Sequence, residues 1–124
     1  MSVGRPTIGA TPTPPRAPPD DRLLDEILVD GESIYLAFKG IRDSVTFTSK
    51  RIVALNVQGM TGKKRDYTSL PYSRIQAFSV ETAGTFDLDS EMELWFSGLG
   101  RIKLEFARGV DIRGLNRLIA DHAL

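Results

Sequence analysis

Two runs of charged residues are where this sequence could do chemistry. Asp87, Asp89, Glu91 and Glu93 recur at every second position of DLDSEMELWF, and on an extended strand alternate residues share one face. Clustered carboxylates attract hard cations and basic partners. A strand, however, spaces them by about 7 Å, whereas sites that wrap an ion are usually built on a loop. The run therefore reads as a solvated or interfacial acidic face. Lys63, Lys64 and Arg65 form the one dense basic cluster, directly after Gly59-Met60-Thr61-Gly62. That stretch invites a phosphate-loop reading and fails it. The spacing is short of G-x-x-x-x-G-K-[ST], Lys64 stands where the magnesium-binding hydroxyl belongs, and a strand rather than a helix is expected next. A glycine-flanked hairpin turn explains the residues instead.

The single histidine, His122, lies two residues before the last position. A catalytic base needs a nucleophile and an orienting group within hydrogen-bond reach, and a metal site needs further ligands. The sequence places neither beside it, so His122 reads as structural or solvated. No set of nucleophile, base and oxyanion donor can be assembled elsewhere. The expectation is no enzyme, no metal site and no cofactor.

The elements that position these residues follow from periodicity. YSRIQAFSVETAGTFDLDSEMELWF (72–96) reads as a strand, a turn at Ala83-Gly84 and a second strand. Phe78 and Val80 share one face of the first strand, Ile75 and Ala77 the other. In the second, Met92, Leu94 and Phe96 oppose the acidic run and Trp95. Upstream, Ile34, Leu36 and Phe38 alternate with Tyr35, Ala37 and Lys39. Val45 and Phe47 face inward on the next strand, and Val53, Leu55 and Val57 continue on a third. Lys63 to Leu70 forms a fourth, ended by Pro71, which has no ladder donor. Gly98-Leu99-Gly100 turns the chain into a seventh strand, Arg101 to Phe106, with Ile102, Leu104 and Phe106 inside. Asp111 then caps a helix whose Ile112, Leu115, Leu118, Ile119 and His122 share a face. Before the strands, Leu23, Leu24, Ile27 and Leu28 form a short helical stripe behind Asp20 or Asp21. The fold class is mainly β: seven antiparallel strands curled into a barrel or orthogonal sandwich, a short N-terminal helix, and a C-terminal helix plugging an open end.

Composition bounds the function. The 124 residues suit one small domain, 20–124, behind a tail, 1–19, that holds six of the seven prolines and reads as disordered. Lysine plus arginine balances aspartate plus glutamate at 16 each, so no overall basicity points to nucleic acid. The absence of cysteine removes disulfides and thiolate metal sites. No apolar run approaches the roughly 18 residues of a transmembrane helix, and the N-terminus lacks a signal-peptide core. A cytoplasmic protein is expected.

LAFKGIRD (36–43), FTSKRI (47–52), VQGMTGKK (57–64), YTSLPYSRI (67–75) and FSVETAGTFDLDSE (78–91) resemble the bacterial pleckstrin-homology domain family from residue 32 to about 122. The resemblance implies the seven-strand fold with its C-terminal helix. It also implies a non-enzymatic domain that assembles into closed cyclic rings, commonly pentamers. The expected function is a protein–protein interaction and assembly module, with itself and a further, unnamed protein as partners. Lys63, Lys64, Arg65, Asp87, Asp89, Glu91 and Glu93 are its candidate interaction residues. The alternative is a peripheral membrane or anionic-headgroup module. Eukaryotic pleckstrin-homology domains bind phosphoinositides through basic residues of the first hairpin. Here that loop holds only Lys39 and Arg42, with Asp43 opposing an anion. In a meander this turn shares an end with the one carrying Lys63, Lys64 and Arg65. These five residues would attract anionic lipid weakly, by about 1 kcal/mol per basic residue before salt screening.

Overall fold

The alternation of MELWF and RIKLEF dictates a hairpin with one dry face, and the fold is built around it. A computed structural model describes residues 22–39, 43–58, 64–81, 90–106 and 110–124, with the backbone of 7–8 and 12–13. The elements are β1 (Thr7–Ile8), β2 (Pro12–Thr13), α1 (Arg22–Ile27), β3 (Ile34–Lys39), β4 (Asp43–Thr48) and β5 (Arg51–Gln58). There follow β6 (Lys64–Pro71), a 3₁₀ turn (Tyr72–Arg74), β7 (Ile75–Glu81), β8 (Ser90–Phe96), β9 (Gly100–Phe106) and α2 (Ile112–Ala123). The seven long strands are those expected. They form two antiparallel sheets, β3-β4-β5-β6 and β9-β8-β7. β6 and β7 follow each other in the chain but do not pair, because the 3₁₀ turn rotates the chain between them. The result is a sandwich rather than a closed barrel.

Two short ladders extend the sheets. β1 runs parallel to β9, and β2 lies antiparallel on β3 with Pro12 beside Phe38. A proline is tolerated there because β2 is an edge strand. The disorder expected for the rest of 1–19, and the Asp20 or Asp21 cap, lie outside the described residues.

The inner faces carry the core. Phe38, Val45, Phe47, Ile52 and Leu70 from the first sheet meet Met92, Leu94, Phe96, Ile102, Leu104 and Phe106 from the second. Phe38 packs edge-on against both Phe47 and Phe106, a preferred aromatic geometry. α2 closes the sandwich with Ile112, Leu115 and Ile119 buried and Leu118 half-buried. Its start is fixed as the sequence indicates: the Asp111 carboxylate accepts from the Gly114 amide at 3.0 Å. Gly98 and Gly100 turn β8 into β9 with φ of 81° and 94°, a region that glycine enters without strain.

Three strand parities differ from the expected ones. A register shift between Ile75 and Ala77 turns Ile75 inward with Phe78 and Val80. A second shift, between Ile34 and Leu36, sends Leu36 to the main core and Ile34 to the opposite face. On β5 the inward residue is Ile52, while Val53 lies beneath Leu24 of α1 in a second cluster with Leu28, Ile34 and Tyr67. β5 is buried on both faces, so its apolar run carries no period to read.

Candidate interaction surface

The acidic run begins outside the described residues, where Asp87 and Asp89 fall. Glu91 and Glu93 are on the outer face of β8, half-buried, with Trp95 beside them. Their cations come from the neighbouring strand. In the β8–β9 ladder Glu93 stands opposite Lys103, Trp95 opposite Arg101, and Glu91 opposite Glu105. Lys103 reaches diagonally to Glu91 at 3.3 Å and along its own strand to Glu105 at 3.6 Å. The like charges of Glu91 and Glu105 are thus bridged. Arg101 approaches Glu93 at 3.7 Å. Hydrogen bonding to Glu91, then its charge, raises the Lys103 ammonium above the usual lysine value. This outer face is a lattice of alternating charges, not the purely acidic one the parity of β8 suggests.

Of the basic residues, Lys63 and Arg42 lie outside the described residues. Lys64 and Arg65 open β6, the edge strand of the other sheet, and Lys39 closes β3 with its side chain exposed. Lys39 pairs with Ser44 and Gln58 with Lys64, so the end of β3 and the start of β6 share one end of the sheet, as a meander requires. Two strands separate Lys39 from Lys64, about 14 Å at ordinary strand spacing. Asp43 sits at this end with its carboxyl raised above the usual range by burial, against one stabilising bond from its own backbone.

His122 packs against two tyrosine rings. Its Nδ1 is 2.9 Å from the Leu118 carbonyl, and its ring lies 4.8 Å from Tyr72 and 5.7 Å from Tyr35. Tyr72 in turn donates its hydroxyl to the Thr48 carbonyl at 2.7 Å, and burial raises its phenol well above the ordinary value.

Sequence reasoning missed one ionic cluster altogether. Glu32 and Arg51 form a two-bond pair that also engages Thr48, Ile27 and Ser69. Nothing in the spacing of these residues announces it, since it joins a loop, a strand start and a helix end.

Two sheets packed face to face and closed by a C-terminal helix, with paired charges on the outside, define a pleckstrin-homology-like domain. Residues 15–123 match the model of the bacterial PH domain family, and the chain belongs to that family. It is 44% identical over 99 residues to the uncharacterized protein YjqA of Bacillus subtilis, covering 78% of this chain and 79% of that one. A second B. subtilis relative, the uncharacterized protein YozO, is 33% identical over 103 residues, covering 83% and 89%. Among solved structures, a pleckstrin-homology protein of the DUF1696 family from Shewanella loihica superposes with a TM-score of 0.75 at 44% identity, covering 84% of this chain and 90% of that one. The pleckstrin homology domain from Shewanella amazonensis gives 0.65 at 48% identity, covering 84% and 85%. The chain is therefore a PH-like domain shared by bacterial proteins of uncharacterised function. No helix among the described residues is long and apolar enough to cross a membrane.

Proposed function

We propose that the chain is a non-enzymatic cytoplasmic module that joins copies of itself into a closed ring, a pentamer, and presents an exposed face to another protein. The division of the charged runs between the sheets carries this reading. Lys63, Lys64 and Arg65 lead into β6 of one sheet; Asp87, Asp89, Glu91 and Glu93 lead into β8 of the other. Two unlike patches on identical subunits make a head-to-tail contact, which must close a ring or grow a filament. Glu91 and Glu93 already hold cations of β9, so a neighbour's basic cluster falls to Asp87 and Asp89. Opposite charges set the register of such a contact, and apolar surface supplies most of its affinity. Light scattering on the purified chain at tens of micromolar tests the ring. A closed oligomer of one size is expected, and a monomer rejects it.

The end of the sheet shared by the close of β3 and the start of β6 supports a second reading. Lys39, Arg42, Lys63, Lys64 and Arg65 would form a basic rim for an anionic headgroup, and the domain would attach peripherally to a membrane.

A further inference from the structure

The sheet β1-β9-β8-β7 ends on a strand that, among the described residues, is paired on one side only. β7 shares its ladder with β8 alone. Among the described residues no other backbone hydrogen bond reaches positions 77–81. Such a row of amides and carbonyls is a template for a further strand, and proteins guard it with lysine, proline or a bulge. The edge strand β6 is guarded, opening on Lys64-Arg65-Asp66 and ending on Pro71. β7 reads IQAFSVE, without lysine or proline, and its register shift precedes Ala77. Positions 77–81 thus carry neither lysine, proline nor a bulge, although α2 packs against β7.

Their side chains specify what could be added. Phe78 and Val80 pack on the core yet stay half-buried, leaving apolar surface in solvent. Ala77, Ser79 and Glu81 are exposed on the other face. Glu81 stands directly opposite Glu91 in the ladder, a repulsive arrangement. Glu91 is served by Lys103, whereas Glu81 has no ion-pair partner among the described residues.

We propose that positions 77–81 bind an extended segment of another protein as an added antiparallel strand. That segment carries apolar residues beside Val80 and Phe78, small polar residues beside Ser79 and Ala77, and a basic residue beside Glu81. The assignment rests on the interaction-module reading but not on the ring, and it gives the protein partner its chemistry.

The test is an NMR titration of the full ¹⁵N-labelled chain with the peptide acetyl-Lys-Val-Thr-Val-Thr-amide, alongside two N-methylated versions. One version is methylated on both valine amides, the other on both threonine amides. An added strand turns only alternate amides toward its neighbour. Shifts are therefore expected across 77–81, and new exchange protection at the alternate amides that turn away from β8. One methylated version should lose affinity about tenfold while the other binds like the parent. Three results overturn the proposal: no shifts at 77–81 up to about 1 mM peptide, equal losses in both methylated versions, or, in an assembled chain without peptide, protection already present at the alternate amides of 77–81 that turn away from β8. The last means that a second copy occupies the edge, which leaves the ring standing. A monomeric chain that binds the peptide in phase rejects the ring and keeps the added strand.

Discussion

The Glu32 carboxylate and the Arg51 guanidinium meet through two hydrogen bonds of 2.9 Å, Nε to Oε2 and Nη2 to Oε1. The Glu32 side chain is fully buried and that of Arg51 19% exposed. Arg51 also donates to the Ile27 carbonyl at 2.8 Å and to the Ser69 hydroxyl at 2.9 Å. Glu32 accepts from the Thr48 hydroxyl at 2.6 Å and the Val29 amide at 3.1 Å. The pair fastens the end of α1 to β5 and β6. A six-residue helix does not hold by itself, so the clamp and the Leu24–Val53 contact keep it in place.

Removing one partner of a buried pair strands the other charge, so Arg51→Ala should destabilise the domain by about 3 kcal/mol. The clamp also makes stability pH-dependent. Burial pushes the Glu32 carboxyl up, but bonds from Arg51, Thr48 and the Val29 amide outweigh it and hold the group below its ordinary 4.5. A carboxyl depressed in the folded state adds stability above its unfolded value and loses it as pH falls through the folded one. Urea midpoints measured from pH 7 down to pH 3 should drop less steeply in Glu32→Gln than in the parent. Equal slopes would show that Glu32 is not the group responsible.

The closing helix offers a graded test of the architecture. Leu115 is 1% exposed, whereas Leu118 is only half-buried. Leu115→Asp places an unpaired charge in the core and should cost several kcal/mol. Leu118→Asp should cost distinctly less, because its carboxylate can reach water. Thermal melts that rank the two the other way would mean that α2 docks through a different face.

Tyr72 connects α2 to the first sheet. Tyr72→Phe keeps the ring tilted against His122 but leaves the Thr48 carbonyl without its 2.7 Å donor. The expected loss is about 1 kcal/mol, read from denaturant melts. A loss near zero would show that solvent reaches that carbonyl.

Headgroup binding by the basic rim is checked by co-sedimentation with anionic vesicles. Lys63→Glu combined with Lys64→Glu should abolish any binding, and raising salt should do the same for the parent, since exposed charges are screened. A parent chain that ignores such vesicles at low salt ends the peripheral-membrane reading.

The seven strands and two helices could be read from the chain because β8, β9 and α2 each bury one face only. Alternation fails where a single extra residue enters a ladder. The shifts near Tyr35 and Gln76 leave no mark in composition, yet each reverses the face of a neighbouring isoleucine. The lattice of Glu91, Glu93, Arg101 and Lys103 was closer to legible. Folding EMELWF onto GRIKLEF about Gly98 sets Glu93 opposite Lys103 but Glu91 opposite Glu105 and Trp95 opposite Arg101, so the Lys103–Glu91 and Arg101–Glu93 pairs are diagonal ones that register brings near without setting face to face. The Glu32–Arg51 clamp was not legible, since it depends on how α1 lies across the sheet.

Assembly is the last expectation. If the acidic run of one subunit meets the basic run of the next, reversing Asp87 and Asp89 to lysine should weaken the oligomer. The matching reversal of Lys63 and Lys64 to glutamate should partly restore it. Rescue is the informative arm, because either reversal alone could act through stability. Glu91 and Glu93 serve as internal controls. They are bonded to Lys103 and Arg101 within the sheet, so Glu91→Gln should change the melting temperature more than the assembly constant. Sedimentation velocity across a dilution series separates the two effects. An oligomer that survives Asp87→Lys with Asp89→Lys intact keeps the ring and rejects the charge pairing. One that dissociates and is not rescued places these residues at the contact but assigns their partners elsewhere.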